Sequence, residues 1–346
     1  MQDNIVGWDV GGAHLKAAWL NSNGDVLGVY QEPCPLWQGL HTLEHALANI
    51  LQKLPSEIKQ YYLTMTGELV DLFSSRSEGV IAIIDLIQKK LAHNCLSIYA
   101  GRLGFLSVNK INATQIDDIA SANWLASASY VARQIETGIF VDVGSTTSDI
   151  LLLNNAAVLA QGYTDFQRLK SSELVYTGVV RTAVMAVAQS VEFSGSQVGL
   201  MSEYFATMAD VYRLTAELQE QADQTETADG AEKTIDASAN RLARMIGCDL
   251  EDFSLVEWMN LASEIRKQQL NRVQQSVEMQ LARLDRSENC QLIGAGVGRF
   301  LVREIAENLN LTYLEFDSFF TGGRGSEMQI ADCAPAVAVA YLGCKH

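Results

Sequence analysis

Two stretches of this sequence share one pattern. "IVGWDVGGAHLKAAWL" begins at Ile5 and "IFVDVGSTTSDILLL" at Ile139; each is an apolar run, an aspartate, a glycine turn and a second apolar run. Runs of this composition broken by a glycine turn read as strands. A chain that builds strand, Asp-x-Gly turn and strand twice carries a weak internal duplication, which suggests two related halves. The turns also carry chemistry. Glycine lets the backbone approach an anion closely, and the second turn adds the hydroxyls of Ser145, Thr146 and Thr147 before the chain leaves through Asp149. Such a turn is built to hold something anionic, with or without a metal.

The rest of the chain alternates strands and helices. After the first copy, "DVLGVY" is a third strand, residues 39–54 a helix, and "YYLTMT" a strand ending at Gly67-Glu68. "SEGVIAIIDLIQKKLAH" has helical periodicity with a serine cap. "CLSIYA" and "LGFLSV" read as strands, and "DDIASANWLASASYVARQIE" as one long helix. Beyond the second copy, "AVLAQGY" and "RTAVMAVAQSVEF" read as strands. "EYFATMADVYRL", "DASANRLARMIG" and a long segment within 254–285 read as helices. Residues 217–236 carry seven acidic residues and one lysine, which predicts a solvated loop or mobile insertion. "CQLIGAGVGRFLVREIAENL" is strand, glycine turn and helix. "LTYLEF" is a strand, "FFTGGRGSEM" a glycine-rich loop and "ADCAPAVAVAYLGC" an apolar closing helix.

Composition excludes several classes. With 25 basic and 41 acidic residues, a net charge of −16 argues against nucleic-acid binding, which needs clustered Lys and Arg. Phosphate ligands remain compatible, because backbone N–H groups and Mg²⁺ supply a local positive field. The cysteines at 34, 95, 248, 290, 333 and 344 never stand at CxxC spacing, so no zinc ribbon, iron–sulfur motif or redox pair is expected. Scattered thiols suit a reducing cytoplasm. "MQDNIVGWDVGG" has no basic n-region, and no apolar segment is long enough to span a bilayer, so neither a signal peptide nor a membrane partner is expected.

In this order the pieces resemble the actin/Hsp70/sugar-kinase superfamily. Asp9-Val10-Gly11-Gly12 matches its first hairpin, Asp142-Val143-Gly144-Ser145-Thr146-Thr147 its second, and Gly294-Ala295-Gly296-Val297-Gly298 its later glycine turn. The resemblance implies an α/β chain with a two-domain actin-like ATPase (ribonuclease H-like) fold and a central interdomain cleft. Domain I would be residues 1–136 joined by the closing helix 331–346, and domain II residues 137–330 with a helical insertion. In that family the hairpins face each other across the cleft and grip phosphates and Mg²⁺, and the later turn lies against a nucleotide.

A narrower resemblance rests on "WDVGGAHLKAA", "TMTGELVDLF", "SANWLASASYVAR", "MSEYFATMADVYRL" and "LARMIG". These are similar to the hydantoinase/oxoprolinase-related family, in its branch tied to tetrahydromethanopterin-linked one-carbon transfer. Its archaeal relatives act in methanofuran biosynthesis. The resemblance implies a cytoplasmic transferase that condenses an aminomethyl-furanmethanol diphosphate with a tyramine- or tyrosine-type phenol. An aryl ether forms and diphosphate leaves. The partners would be these small molecules, with a homo-oligomer left open.

The residues take roles under that resemblance. Asp9 and Asp142 would hold Mg²⁺, directly or through water; a turn aspartate capping its own backbone is the alternative. Gly11, Gly12 and Gly144 would let the backbone approach the diphosphate, with hydroxyls from Ser145, Thr146 and Thr147; an ordinary hairpin turn is the alternative. Asp149 would orient these groups, or is an exposed strand residue. Lys16 would reach the diphosphate, with Arg102 and Arg324 as weaker candidates. The phenol needs a base, and Glu68 or Asp71 would serve; a helix N-terminal carboxylate is the alternative. His14 reads better as a structural histidine. Gly294, Gly296 and Gly298 would hold a nucleotide, the aromatic partner or nothing. Trp124, Tyr130, Tyr204, Phe205 and Tyr212 stand at core-like spacing. Two other functions fit the same fold: an ATP-dependent small-molecule kinase or amidohydrolase, and an ATP-gated interaction protein presenting 217–236.

Overall fold

The computed structural model describes residues 4–91, 95–284, 289–323 and 326–345; Arg324 lies outside them. The first copy folds as β1 (Asn4–Val10) and β2 (His14–Asn21), followed by β3 (Val26–Pro33), α1 (Leu40–Lys53) and β4 (Gln60–Met65). Then come α2 (Arg76–Lys90), β5 (Leu96–Tyr99), β6 (Phe105–Ser107), α3 (Ile116–Ile119) and α4 (Asn123–Ala132). The second copy forms β7 (Thr137–Val143) and β8 (Ser148–Asn154), then β9 (Ala157–Val158), α5 (Asp165–Lys170), β10 (Leu174–Val175), β11 (Ser190–Phe193) and β12 (Ser196–Gly199). The chain continues through α6 (Met208–Leu214), α7 (Ile235–Met245), α8 (Leu255–Leu281), β13 (Gln291–Ala295), α9 (Arg299–Asn308), β14 (Thr312–Glu315) and α10 (Ala334–Cys344).

The duplication is a duplication of topology. One sheet runs β3-β2-β1-β4-β5-β6 and the other β10-β8-β7-β13-β14, with β9 on β8. In each, the first strand of the Asp-x-Gly hairpin is central, its hairpin partner lies on one side and a later strand on the other. β1 is antiparallel to β2 and parallel to β4. A parallel neighbour requires a crossover, and α1 lies in it. This is the two-sheet ribonuclease H-like α/β fold.

The chain divides into two compact units, one of residues 1–140, 151–171 and 314–346, the other of 141–150 and 172–313. Residues 151–171 and 314–330 therefore group with the first unit, where the sequence reading assigns them to the second domain.

In the first unit, period-two alternation splits β1 between two faces. Val6, Trp8 and Val10 pack with Leu43, Leu47 and Ile50 of α1 and Val80, Ile83 and Ile87 of α2. On the other face, a Cβ on Gly7 would lie 2.1 Å from the Ala336 carbonyl of α10, so the small residue is what lets the helix seat there. α10 is apolar all round and buried from Ala334 to Ala340, which suits a helix with core on every side. In the second unit, α8 starts on a capping box of Ser254 and Glu257.

Three expectations change. The single long helix over 117–136 is two helices, α3 and α4, separated at Ser121, whose φ is +51°. Left-handed backbone at a serine persists only when its surroundings hold it. "RTAVMAVAQSVEF" contributes only β11, preceded by a 3-10 turn at Val184–Ala186, and "AVLAQGY" only the two residues of β9. The acidic stretch 217–236 is tied down. Asp223 is buried and pairs with Arg213 at 2.6 Å and Lys233 at 3.3 Å; Asp229 pairs with Arg241 at 3.0 Å; Glu217 pairs with Arg266 at 2.6 Å. Part of its acidity is matched by cations of α6, α7 and α8 and by its own Lys233, while Glu220, Glu226, Glu232 and Asp236 remain exposed as the solvated-loop reading has it.

Candidate functional site

Both hairpins close with the same bond. The Gly11 N–H donates to the His14 carbonyl at 2.9 Å, and the Gly144 N–H to the Thr147 carbonyl at 2.8 Å. These two glycine N–H groups are thus used within the turn. The N–H groups that follow, of Gly12 and Ala13 in one hairpin and of Ser145 and Thr146 in the other, find no acceptor among the described residues. Successive backbone donors in a tight turn are an anion-binding arrangement.

In the first hairpin, Asp9 is buried and accepts a hydrogen bond from Asn123 of α4 at 3.4 Å. Lys16 is its cross-strand partner on β2, and the Lys16 ammonium donates to the Asp332 carbonyl at 2.6 Å. Gly12 accepts from the Leu36 N–H at 3.0 Å. His14 is buried beside the turn.

In the second hairpin, residues 177–181 pack directly on the turn. The Val179 N–H donates to the Gly144 carbonyl at 3.0 Å and the Arg181 N–H to the Ser145 carbonyl at 2.8 Å. A Cβ on Gly178 would lie 2.3 Å from the Thr146 nitrogen. The Arg181 guanidinium reaches the Thr146 hydroxyl at 3.4 Å, and the Ser145 and Thr146 hydroxyls meet at 3.4 Å. This places a cation against the hydroxyl-bearing turn, a residue the sequence reading missed because it lies in a stretch read as strand. The later glycine turn is closely packed against the Asp142 strand and β14. A Cβ on Gly296 (φ +79°) would lie 2.3 Å from Asp142 Oδ1, one on Gly298 2.5 Å from Val143, and one on Gly294 2.5 Å from the Tyr313 hydroxyl. Gly296 and Gly298 therefore hold the Asp142 strand end in place.

Glu68 lies in a 3-10 turn, Gly67–Leu69, directly after β4. It is 1% exposed. Gly79 of α2 lets that helix press on it: a Cβ there would lie 2.6 Å from the Glu68 carbonyl. Oε1 accepts from the Ser121 hydroxyl at 2.8 Å, while Oε2 has no hydrogen-bond partner among the described residues. Burial pushes the Glu68 carboxyl above its ordinary range; the Ser121 hydrogen bond, its own backbone N–H and the Arg76 charge pull it down, and the Asp165 charge pushes it further up. Asp165 stands at the start of α5. It accepts from Arg76 at 2.7 Å and from the Ser121 hydroxyl at 3.3 Å. Arg168, buried and stacked on Trp124 at 4.2 Å, lies 3.9 Å from the other Asp165 oxygen. A buried carboxylate with an orphan oxygen is costly to leave unmet; Glu68 also stands in the first turn of this short helix, where a carboxylate meets the helix N-terminus. Asp71, one turn on, is exposed.

The sequence therefore found Glu68 but not its partners. Asp165 and Arg76 carry no motif, and Ser121 opens "SANWLASASYVAR" but reads there as helix interior; the break between α3 and α4 brings it to Glu68. Trp124, Tyr130 and Tyr212 are core residues, Tyr204 is 51% exposed, and Arg102 pairs with Asp118 and stacks on Tyr163. Among the described residues no three His, Cys, Asp or Glu side chains gather into a metal-holding group. One strand-end carboxylate per hairpin still fits Mg²⁺, which keeps water and substrate phosphates as its other ligands.

The family model of hydantoinase/oxoprolinase matches residues 60–318. The chain is 30% identical over 344 residues to the (4-{4-[2-(gamma-L-glutamylamino)ethyl]phenoxymethyl}furan-2-yl)methanamine synthase of Methanocaldococcus jannaschii, covering 99% of this chain and 98% of the relative. A synthase of the same name from Methanococcus vannielii is 31% identical over 141 residues, 40% of this chain and 63% of the relative. Among solved structures, a nucleotide-free acetone carboxylase aligns over 99% of this chain and 70% of its own with a TM-score of 0.59 and 9% identity, a likeness of fold alone. With most of its length matched by the family model and nearly all of it aligned to a relative, the chain belongs to the hydantoinase/oxoprolinase family.

Proposed function

We propose that this protein is a transferase of methanofuran-type cofactor synthesis, condensing an aminomethyl-furanmethanol diphosphate with a tyramine- or tyrosine-type phenol. The observation that carries this reading is the near-full-length similarity to the Methanocaldococcus jannaschii synthase, whose name describes a phenoxymethyl-furan ether. In the reaction, the bond from the furan CH₂ to the diphosphate oxygen breaks and its electron pair leaves with the diphosphate. The electron-rich ring carries the positive charge that develops on the carbon. The phenol oxygen forms the new C–O bond, and its proton passes to a base.

Each unit, taken by itself, offers groups of the kind this chemistry needs. The Ser145 and Thr146 N–H groups and hydroxyls, with the Arg181 guanidinium beside them, suit the departing diphosphate, since preorganised donors stabilise developing charge without rearranging. Mg²⁺ held by a strand-end aspartate, Asp142 or Asp9, would add charge neutralisation at the phosphate oxygens. Lys16, tied to the Asp332 carbonyl, contributes positive charge beside Asp9. Glu68, with an orphan carboxylate oxygen, is the base for the phenol, because a raised carboxyl pKa brings a weak base nearer the operating pH.

The test is direct. The protein is incubated with Mg²⁺, a furfuryl-type diphosphate and tyramine or tyrosine. Phenol-dependent diphosphate release, with an ether product, is expected. ADP or phosphate release from ATP with no furan chemistry would overturn the reading in favour of a kinase or amidohydrolase.

A further inference from the structure

We propose that Ser121 and Asp165 form the proton exit of Glu68: a relay in which the Ser121 hydroxyl hands the proton collected by Glu68 to Asp165. The inference rests on the reading of Glu68 as the base that takes the phenolic proton.

Geometry makes the case. Glu68 is 1% exposed, so a proton captured there does not exchange directly with bulk water. Every turnover nevertheless delivers one proton, which must leave before the next. Besides its own backbone N–H, the Glu68 carboxyl meets the Ser121 hydroxyl, at 2.8 Å. The same hydroxyl lies 3.3 Å from Asp165 Oδ2. The Asp165 side chain is 19% exposed and so reaches the surface that Glu68 does not.

Proton arithmetic supports the wire. One hydroxyl carries one hydrogen and cannot donate to two carboxylates at once. Both contacts are satisfied together when Glu68 is protonated: its O–H donates to Ser121 Oγ, and the Ser121 O–H donates to Asp165. Transfer then moves the Glu68 proton onto Ser121 Oγ while the Ser121 proton moves to Asp165 Oδ2. No electrons change hands, and the proton leaves from Asp165 to solvent. The charged groups facing this path are Arg76, 2.7 Å from Asp165, and Arg168, 3.9 Å from its other oxygen.

Ser121 is held for this position. It is buried at the α3–α4 break with φ of +51°, a conformation costly for serine. Ser121 is thus a positioning and relay residue, and Asp165 the outlet.

Ser121→Gly separates this from a folding role, because glycine takes the same left-handed backbone without strain while the CH₂OH side chain that carries the relay hydroxyl is lost. Rapid quench with the furan diphosphate and tyramine gives first-turnover and steady-state rates. The first turnover should stay within about twofold of wild type while the steady-state rate falls by about 10²-fold or more, the low end of a proton-transfer contribution. Asp165→Asn should give the same split, and Glu68→Gln should lose the first turnover itself. Equal loss of both rates in Ser121→Gly, or no loss of either, overturns the relay. A second measurement is independent of ether synthesis. Infrared difference spectra of wild type against Glu68→Gln identify the Glu68 carboxyl band, and its hydrogen–deuterium exchange should slow about tenfold in Ser121→Gly. If wild type forms no ether but this exchange slows, the transferase reading fails and the relay stands. If exchange is unchanged, the relay fails whatever the activity.

Discussion

At the scale of single residues, Glu68 and Gly296 make the sharpest claims. Burial raises the Glu68 carboxyl above its ordinary value of about 4.5. The fold therefore binds a proton that the unfolded chain releases. The stability linked to this group is fully present below about pH 4.5 and is lost as pH rises through the folded value. Glu68→Gln should flatten that slope in denaturant midpoints measured from pH 4 to 8, and should lower phenol-dependent diphosphate release by about 10²–10⁴-fold. Parallel slopes for the two proteins would contradict the buried carboxyl. Gly296 is a packing claim. Gly296→Ala must place a Cβ 2.3 Å from Asp142 Oδ1 at a φ of +79°, so it should cost roughly 3 kcal/mol or more by urea unfolding, from strain and overpacking together. Gly195 offers the control, with a φ of +76° and nothing within 4 Å of its Cβ; Gly195→Ala should cost only about 1 kcal/mol of backbone strain.

At the scale of elements, the acidic stretch after α6 shows how pairing overrides composition. Asp210 of α6 sits 2.7 Å from Arg241 of α7, which has no exposed side-chain surface, and Arg241 also reaches Asp229. Breaking a buried pair from one side leaves an uncompensated charge, at about 3–5 kcal/mol. Arg241→Leu should therefore destabilise by that order in urea unfolding and open residues 220–232 to limited proteolysis. Unchanged protection there would mean that Lys233 and Arg213 suffice. The broken helix at Ser121 makes the complementary point. Its small, helix-compatible residues give no sign of a stop, because the stop comes from hydrogen bonds to Glu68 and Asp165, 53 and 44 residues away.

At the scale of the molecule, the duplicated topology provides two hairpins of one construction, each with a strand-end aspartate and two backbone N–H groups that meet no acceptor among the described residues. A net charge of −16 makes it harder for such turns to hold a polyanion unaided. Chelating divalent metal should accordingly lower diphosphate release by at least about 10²-fold, a few kcal/mol of leaving-group stabilisation, as read by diphosphate assay with and without added Mg²⁺. Activity unaffected by the chelator would remove Mg²⁺ from the proposal. No helix among the described residues is long and apolar enough to cross a membrane.

The sequence by itself determined the two Asp-x-Gly hairpins, the order of strands and helices around them, the family and the candidacy of Glu68. Those signals are local: alternation, glycine turns and motif order are written in consecutive residues. Only the tertiary structure decided that the later glycine turn braces Asp142, that Arg181 stands on the second hairpin, that the acidic stretch is pinned, and that Ser121 joins Glu68 to Asp165. Each of these depends on side chains brought together across tens of residues, where burial and pairing, which no local pattern encodes, set the outcome.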